Sequence, residues 1–376
     1  MDPQSLIGPS SPLGLPAPLE LLVFFKVLGF TLHMAPMNLW YVGPLLALGM
    51  RWRGGEHAGR LSGRLMRQMP VIVAYGVNFG IVPLLFTQAA YHKAFYPATI
   101  LMAWPWFSVI VSLALAYSGV YLYAGGLKNG GARMTPLRRT AGWLSAVLFL
   151  WMGFLFAHGF SLMENVAAWP DLWQRTSVAG APTGTALHTA DPSLWPRWLM
   201  MIGLALTTTA AYVVADTGLF ARRESDPYKA WARGFAFRLY TAGTVWFAAT
   251  GAWYVFGTWR PEVRALMLGG PHAALTVLTA LSPGLPWLLI LAQRKGITPK
   301  MSLLTGLAQL LVLLLNAVSR QVVQNAKLEP FLRLTAEPVN AQWSPVILFL
   351  VLFAGGLAVA VWMIRKAAAA SRQPVP

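Results

Sequence analysis

Apolar positions along this chain come in long unbroken runs, not in the alternation of a half-buried strand or the narrow stripe of a surface helix. The first run, 21–49, reads LLVFFKVLGFTLHMAPMNLWYVGPLLALG. At about 30 residues it exceeds the roughly 20 that cross a bilayer core. Eight more follow, so that nine spans cover roughly 20–49, 70–91, 98–124, 141–163, 198–220, 235–257, 273–293, 301–324 and 344–364. Each predicts a helix, because a backbone in hydrocarbon must satisfy its hydrogen bonds within its own segment. The expected fold class is all-α: a polytopic membrane helix bundle with nine transmembrane helices, forming a single integral-membrane domain over 1–376.

Composition agrees, with 56% hydrophobic residues, 11% charged and 17 Trp. Charge then orients the bundle. The segments RWRGGEHAGRLSGRLMR, KNGGARMTPLRR, ARRESDPYKAWAR, QRKGITPK and RKAAAASRQ are basic and alternate with acidic or mixed ones. Put on one side, they hold 19 Lys or Arg against Glu56, Glu224 and Asp226, while the other side holds eight of each sign. The positive-inside rule therefore sets the N-terminus outside and the C-terminus inside. The net charge of +17 is a topology signal facing an anionic inner leaflet, and no nucleic-acid partner is expected. The first 19 residues lack the basic start of a signal peptide and read as a retained outer lead-in; 366–376 form an inner tail. The longest loop, 164–197, is outer, and its Trp169, Trp173 and Trp195, with Trp198 just past its end, suit a lid lying on the headgroups.

Absence of Cys excludes disulfides, iron–sulfur clusters, thiolate ligands and covalently attached c-type haem, leaving His and Met as soft ligands. His33 lies mid-span, His92 and His158 toward the outer ends of spans two and four, and His272 opens span seven on the same side. Four imidazoles at similar depth suit b-type haem between helices near the outer face; the plainer reading is interfacial His satisfied by water or carbonyls. On span one Lys26, Phe30, His33, Met37 and Trp40 share a face, with Lys26 about 10 Å from His33 along the axis at 1.5 Å per residue. That places a cation for a haem propionate, or a Lys that snorkels to the headgroups. Gln309, Asn316 and Arg320, with Gln321 beside them, stripe span eight and would hold quinone oxygens or a propionate, or glue helices together. Asp216 and Arg238 stand at matching depth near the inner ends of spans five and six, which predicts an ion pair between them or, otherwise, the start of a proton path from inside. No Gly-rich phosphate loop, HExxH or GxSxG occurs, so hydrolase and nucleotide chemistry have no foothold.

His33 followed by APMNLWYVGPLLALG, a basic loop and then Gly76-Val77-Asn78-Phe79 resembles the opening of the large subunit of cytochrome bd quinol oxidases. Phe156-Ala157-His158-Gly159-Phe160, running into Met163-Glu164-Asn165, is similar to the stretch closing that family's helix four, with His158 in place of its Asn. The resemblance implies that His33 is an axial haem ligand and that haem b, one or more, and quinol are the cofactors. Departures are equally specific. Ala90 falls where the family has an acidic residue, 98–124 contains no carboxylate, only a short loop, 258–271, joins spans six and seven, and span five offers Met200 and Met201 but no His.

The expectation that follows is a bacterial inner-membrane b-type cytochrome, bd-like in fold, passing electrons between the quinone pool and a periplasmic partner, a c-type cytochrome or other subunits of a respiratory complex. His33, His92, His158 and His272 are its expected haem ligands, with Lys26, Met37 and Arg320 around the haem. A terminal quinol oxidase is the enzymatic alternative, and a haem-free transporter or scaffold the non-redox one.

Overall fold

The computed structural model describes residues 1–128, 131–221 and 223–370, the side chain of Arg53 excepted; the end of the inner tail, from 371, lies outside the described residues. Twelve helices are α1 (Leu19–Arg53), α2 (Glu56–Leu101), α3 (Ala103–Gly126), α4 (Pro136–Glu164), α5 (Trp169–Thr176), α6 (Leu194–Ala215), α7 (Asp226–Thr258), α8 (Pro261–Arg264), α9 (Ala273–Leu281), α10 (Gly284–Ala292), α11 (Pro299–Leu328) and α12 (Trp343–Ala370). Eight helical stretches are long and apolar enough to cross a membrane. The expected sixth span falls in α7, whose 33 residues extend about 50 Å but which is not among those eight. The chain is thus an all-α polytopic membrane bundle. The expected seventh span is broken, with Ser282-Pro283 separating α9 from α10. Three helices start with a hydroxyl cap ahead of a proline in the first turn: Thr135 before α4, Ser225 before α7 and Thr298 before α11.

α1 is the central element, packed against α2, α4, α6 and α11. Its approach to α2 is close because two glycines one turn apart remove side chains from the contact. A Cβ on Gly76 would lie 2.6 Å from the Trp40 ring, and one on Gly80 would lie 2.9 Å from the imidazole of His33. On its other side Trp40 stacks on Phe149 of α4, ring centroids 5.7 Å apart. α12 is apolar on all sides and nearly all of it is exposed, as a lipid-facing helix should be.

The long α2 bends near Tyr91, where φ is −124° and ψ 23°. Pro97 explains a tertiary contact just there. Lacking an N–H, it leaves the Lys93 carbonyl free, and the Gly8 N–H of the lead-in takes it at 2.9 Å. Lys93 Nζ in turn reaches Glu337 at 2.8 Å, and Leu15 pairs with Pro338, so the lead-in is strapped across the outer end onto the 329–342 loop.

The expected pair between Asp216 and Arg238 does not form. Asp216, buried on a π-helical turn after α6, accepts from Arg64 Nε and Nη2 at 2.7 and 2.9 Å and from Gln68 at 3.1 Å, while Arg238 is exposed. The first turns of α2 carry the basic loop back over the bundle as helix, which brings Arg64 to the carboxylate from an element taken as extramembrane loop. Replacing Arg64 by Leu should destabilise the protein by about 3 kcal/mol or more, by stranding a buried carboxylate, whereas Arg238→Leu should change stability by less than about 0.5 kcal/mol. Thermal unfolding of the two variants in detergent measures the contrast.

Candidate functional site

His33 projects from α1 onto the Gly76–Gly80 face of α2. Its Nδ1 lies 2.8 Å from the Gly76 carbonyl, and because a carbonyl only accepts, Nδ1 carries the proton. The Nε2 lone pair is left bare, the tautomer of a metal-ligating imidazole oriented by a backbone carbonyl.

One turn toward the outer end, Phe30 of the same face meets Arg320 of α11. The guanidinium is clamped between two rings, 4.3 Å from the centroid of Phe30 and 4.2 Å from that of Phe160. Its Nη2 is buried and has no hydrogen-bond partner among the described residues. One turn further, buried Lys26 donates to Gln321 at 2.7 Å and to Gln324 at 2.9 Å and lies 4.3 Å from the Tyr91 ring. Gln321 Nε2 donates to Tyr91 and Asn325, but Gln324 Nε2 is another buried donor without an acceptor.

Beside this row stands Glu164, at the end of α4 and 2% exposed by its side chain. Arg197 donates to both its oxygens through Nη1 and Nη2, and Lys327 lies 3.4 Å from it. Tyr254 accepts from Arg197 at 3.0 Å and from Lys327 at 3.4 Å. Arg320 and Lys26 are both within electrostatic range of Glu164. Four basic side chains, Lys26, Arg197, Arg320 and Lys327, thus stand around Glu164 in the outer half of the bundle.

The other sequence candidates are distributed differently. His158 is 1% exposed, and its Nε2 accepts the backbone N–H of His188 at 2.7 Å while Nδ1 faces the Met102 sulfur at 3.3 Å. Both its nitrogens are occupied by protein, and the residue ties down the outer loop. His92 stands at the outer rim near Glu337 with Nε2 buried and unpartnered. His272 lies half-buried at the start of α9. Met37 is buried in the central core. Gln309 accepts from Tyr240 at 2.8 Å and donates to Thr207 and Thr208, so that its amide bridges α11, α6 and α7. Asn316 donates to the Val312 carbonyl of its own helix.

Glu164, Arg197, Tyr254 and Lys327 were not singled out from sequence. The signal was there: Lys327 follows Arg320 by seven residues on one helix face, and Glu164 and Arg197 bracket the outer loop at equal depth. The loop itself packs inward, contrary to the expected lid on the headgroups. Trp169 is fully buried and donates to the Leu162 carbonyl, though Trp195 remains exposed. Asp191 secures it: burial pushes the Asp191 carboxyl up, but hydrogen bonds from the Ser193 N–H, Ser193, Ser161 and Asn165 outweigh this and hold it below the usual carboxylate range. Its stabilising effect is fully present above the unfolded value near 4 and lost as pH falls through the lower folded value. Hydrogen exchange of residues 177–193 should accordingly rise on acidification below about pH 4, and Asp191→Asn should raise it at pH 7 and remove the acid dependence.

No protein-family model matches this chain, and no curated protein matches it. Among solved structures, a chain of the bd oxidase from Geobacillus thermodenitrificans superposes on it with a TM-score of 0.66, covering 96% of this chain and 100% of that one at 12% identity. At that identity the likeness is one of architecture, and the chain has the fold of that bd oxidase chain.

Proposed function

We propose that this chain is a haem b-carrying, quinol-oxidising subunit of a respiratory complex in a bacterial inner membrane, a bd-like quinol oxidase subunit. The observation that carries the reading is the unbalanced cation cluster a turn or two from His33. An anion inside the membrane is what such a cluster asks for, and haem brings two carboxylates together with an iron. The residues fit the group: Arg320 Nη2 and Gln324 Nε2 are buried donors awaiting acceptors, Lys26 adds charge, and His33 Nε2 is a bare lone pair on the same helix face. When bound, the haem supplies one-electron redox chemistry; the chain supplies its charge balance, its ligand and its insulation from water.

His33 would hold the haem iron in this reading, while His158 serves the loop and His92 and His272 keep to the rim. Gln309, Asn316 and Gln321 have their amides engaged within the bundle, so the quinol site is assigned elsewhere. Electron delivery to a periplasmic c-type cytochrome, the finer expectation, gains no support from the outer face, whereas the shared fold favours the oxidase reading.

Purified protein should show a Soret band that shifts on adding a ubiquinol or menaquinol analogue, and oxygen uptake measured alongside separates full oxidase activity from haem reduction alone. His33→Ala should lose haem by pyridine haemochrome assay while keeping its helical circular dichroism. Full haem retention in that variant, or wild-type protein without haem, would contradict the proposal.

A further inference from the structure

A second charged feature lies at the opposite end of the bundle, where the basic segments gather and the positive-inside rule puts the cytoplasm. A cavity of about 270 Å³ opens there between the end of α1, the start of α2 and the α3–α4 connection, lined by Arg51, Glu56, Gly59, Arg60, Gly63, Arg67, Leu127 and Gly131. It exists because α2 presents glycine at 59 and 63, one turn apart on one face; no atom stands within 4 Å of where a Gly59 Cβ would be. Arg67 folds back over Gly63, its Nε donating to the Gly63 carbonyl at 3.0 Å, which fixes the guanidinium and leaves its Nη groups for another acceptor. Arg51 approaches from α1, its Nη2 3.6 Å from the position of a Gly131 Cβ.

The charges are unequally used. Arg60 is paired with Glu56 at 3.1 Å and Glu224 at 3.0 Å, and so is neutralised by its neighbours. Arg51 and Arg67 form no ion pair among the described residues. Two unpaired guanidinia on the wall of a small cavity match a phosphate, which takes bidentate donors from each. The site lies at the end of membrane-length helices, has the apolar Leu127 in its wall and stands next to the exposed Trp52 on α1, an interfacial residue type. We propose that it binds the phosphodiester headgroup of an anionic phospholipid of the inner leaflet, with the acyl chains running down the adjacent apolar surface. Basic pockets at the cytoplasmic ends of transmembrane helices are suited to such headgroups. The proposal is independent of the haem reading.

The test uses the full chain in nanodiscs of phosphatidylcholine with 20% phosphatidylglycerol, with the phosphatidylglycerol retained after detergent extraction counted by native mass spectrometry. Wild-type protein should keep phosphatidylglycerol in preference to phosphatidylcholine, and the double variant Arg51→Gln with Arg67→Gln should lose that preference about tenfold. Lys300→Gln, an exposed inner-face cation outside the cavity, should keep it. Should the double variant fail to fold, Gly59→Leu fills the cavity without altering charge and should give the same loss. Unchanged retention in both the double variant and Gly59→Leu overturns the site. Millimolar inorganic phosphate displacing the lipid from wild-type protein overturns the choice of a lipid over a free anion.

Discussion

Uncompensated positive charge inside the outer half of the membrane is the constraint on which the rest of this structure turns. Moving one ion out of water costs several kcal/mol even after relaxation. Glu164 offsets that for Arg197 and, in part, for Lys327, with Tyr254 accepting from both. For Arg320 the compensation is two aromatic faces, about 0.5 to 2 kcal/mol each, and for Lys26 two amide oxygens. Those contributions fall short of the desolvation of two further cations. In the proposed reading a bound anion would close the gap, accepting from the buried donors of Arg320 and Gln324.

The fold holds this arrangement rigid from three directions. Gly76 and Gly80 let α1 and α2 approach until the Gly76 carbonyl orients His33. α11 lays Arg320, Gln321, Gln324 and Lys327 along one side, pinned deeper in the bundle by the Gln309 bridge. Above, the inward-packed loop, anchored by His158, Asp191 and the buried Trp169, separates the cluster from water. Low dielectric strengthens each interaction beneath it, which is why a charge imbalance there matters more than one at the surface.

Much of this was legible in the sequence. Run lengths gave the membrane-length helices, and the spacing Lys26, Phe30, His33 put these three side chains on one face of α1, the face used in the proposed reading. What stayed hidden depended on tertiary pairing. Asp216 found Arg64 instead of Arg238 because the basic loop after α1 continues as helix and folds back over the bundle, which hydropathy alone reads as a gap between spans. His158 looked like a ligand by depth, but the acceptor it provides is for a backbone N–H thirty residues away in a loop with no periodic signal. The Trp residues of that loop gave interfacial composition, while the burial of Trp169 depends on a turn that only the folded chain shows.

The central claim is that the cation cluster is built for an anionic cofactor, and charge removal tests it from both sides. Arg320→Leu relieves repulsion and desolvation in haem-free protein but removes a partner for the bound carboxylate. Melting temperatures of haem-free and haem-loaded protein, compared between wild type and this variant, should therefore move in opposite directions: up for the haem-free form and down for the loaded one, with lower haem content by pyridine haemochrome assay. A variant that is destabilised without haem and still binds a full complement would contradict the account.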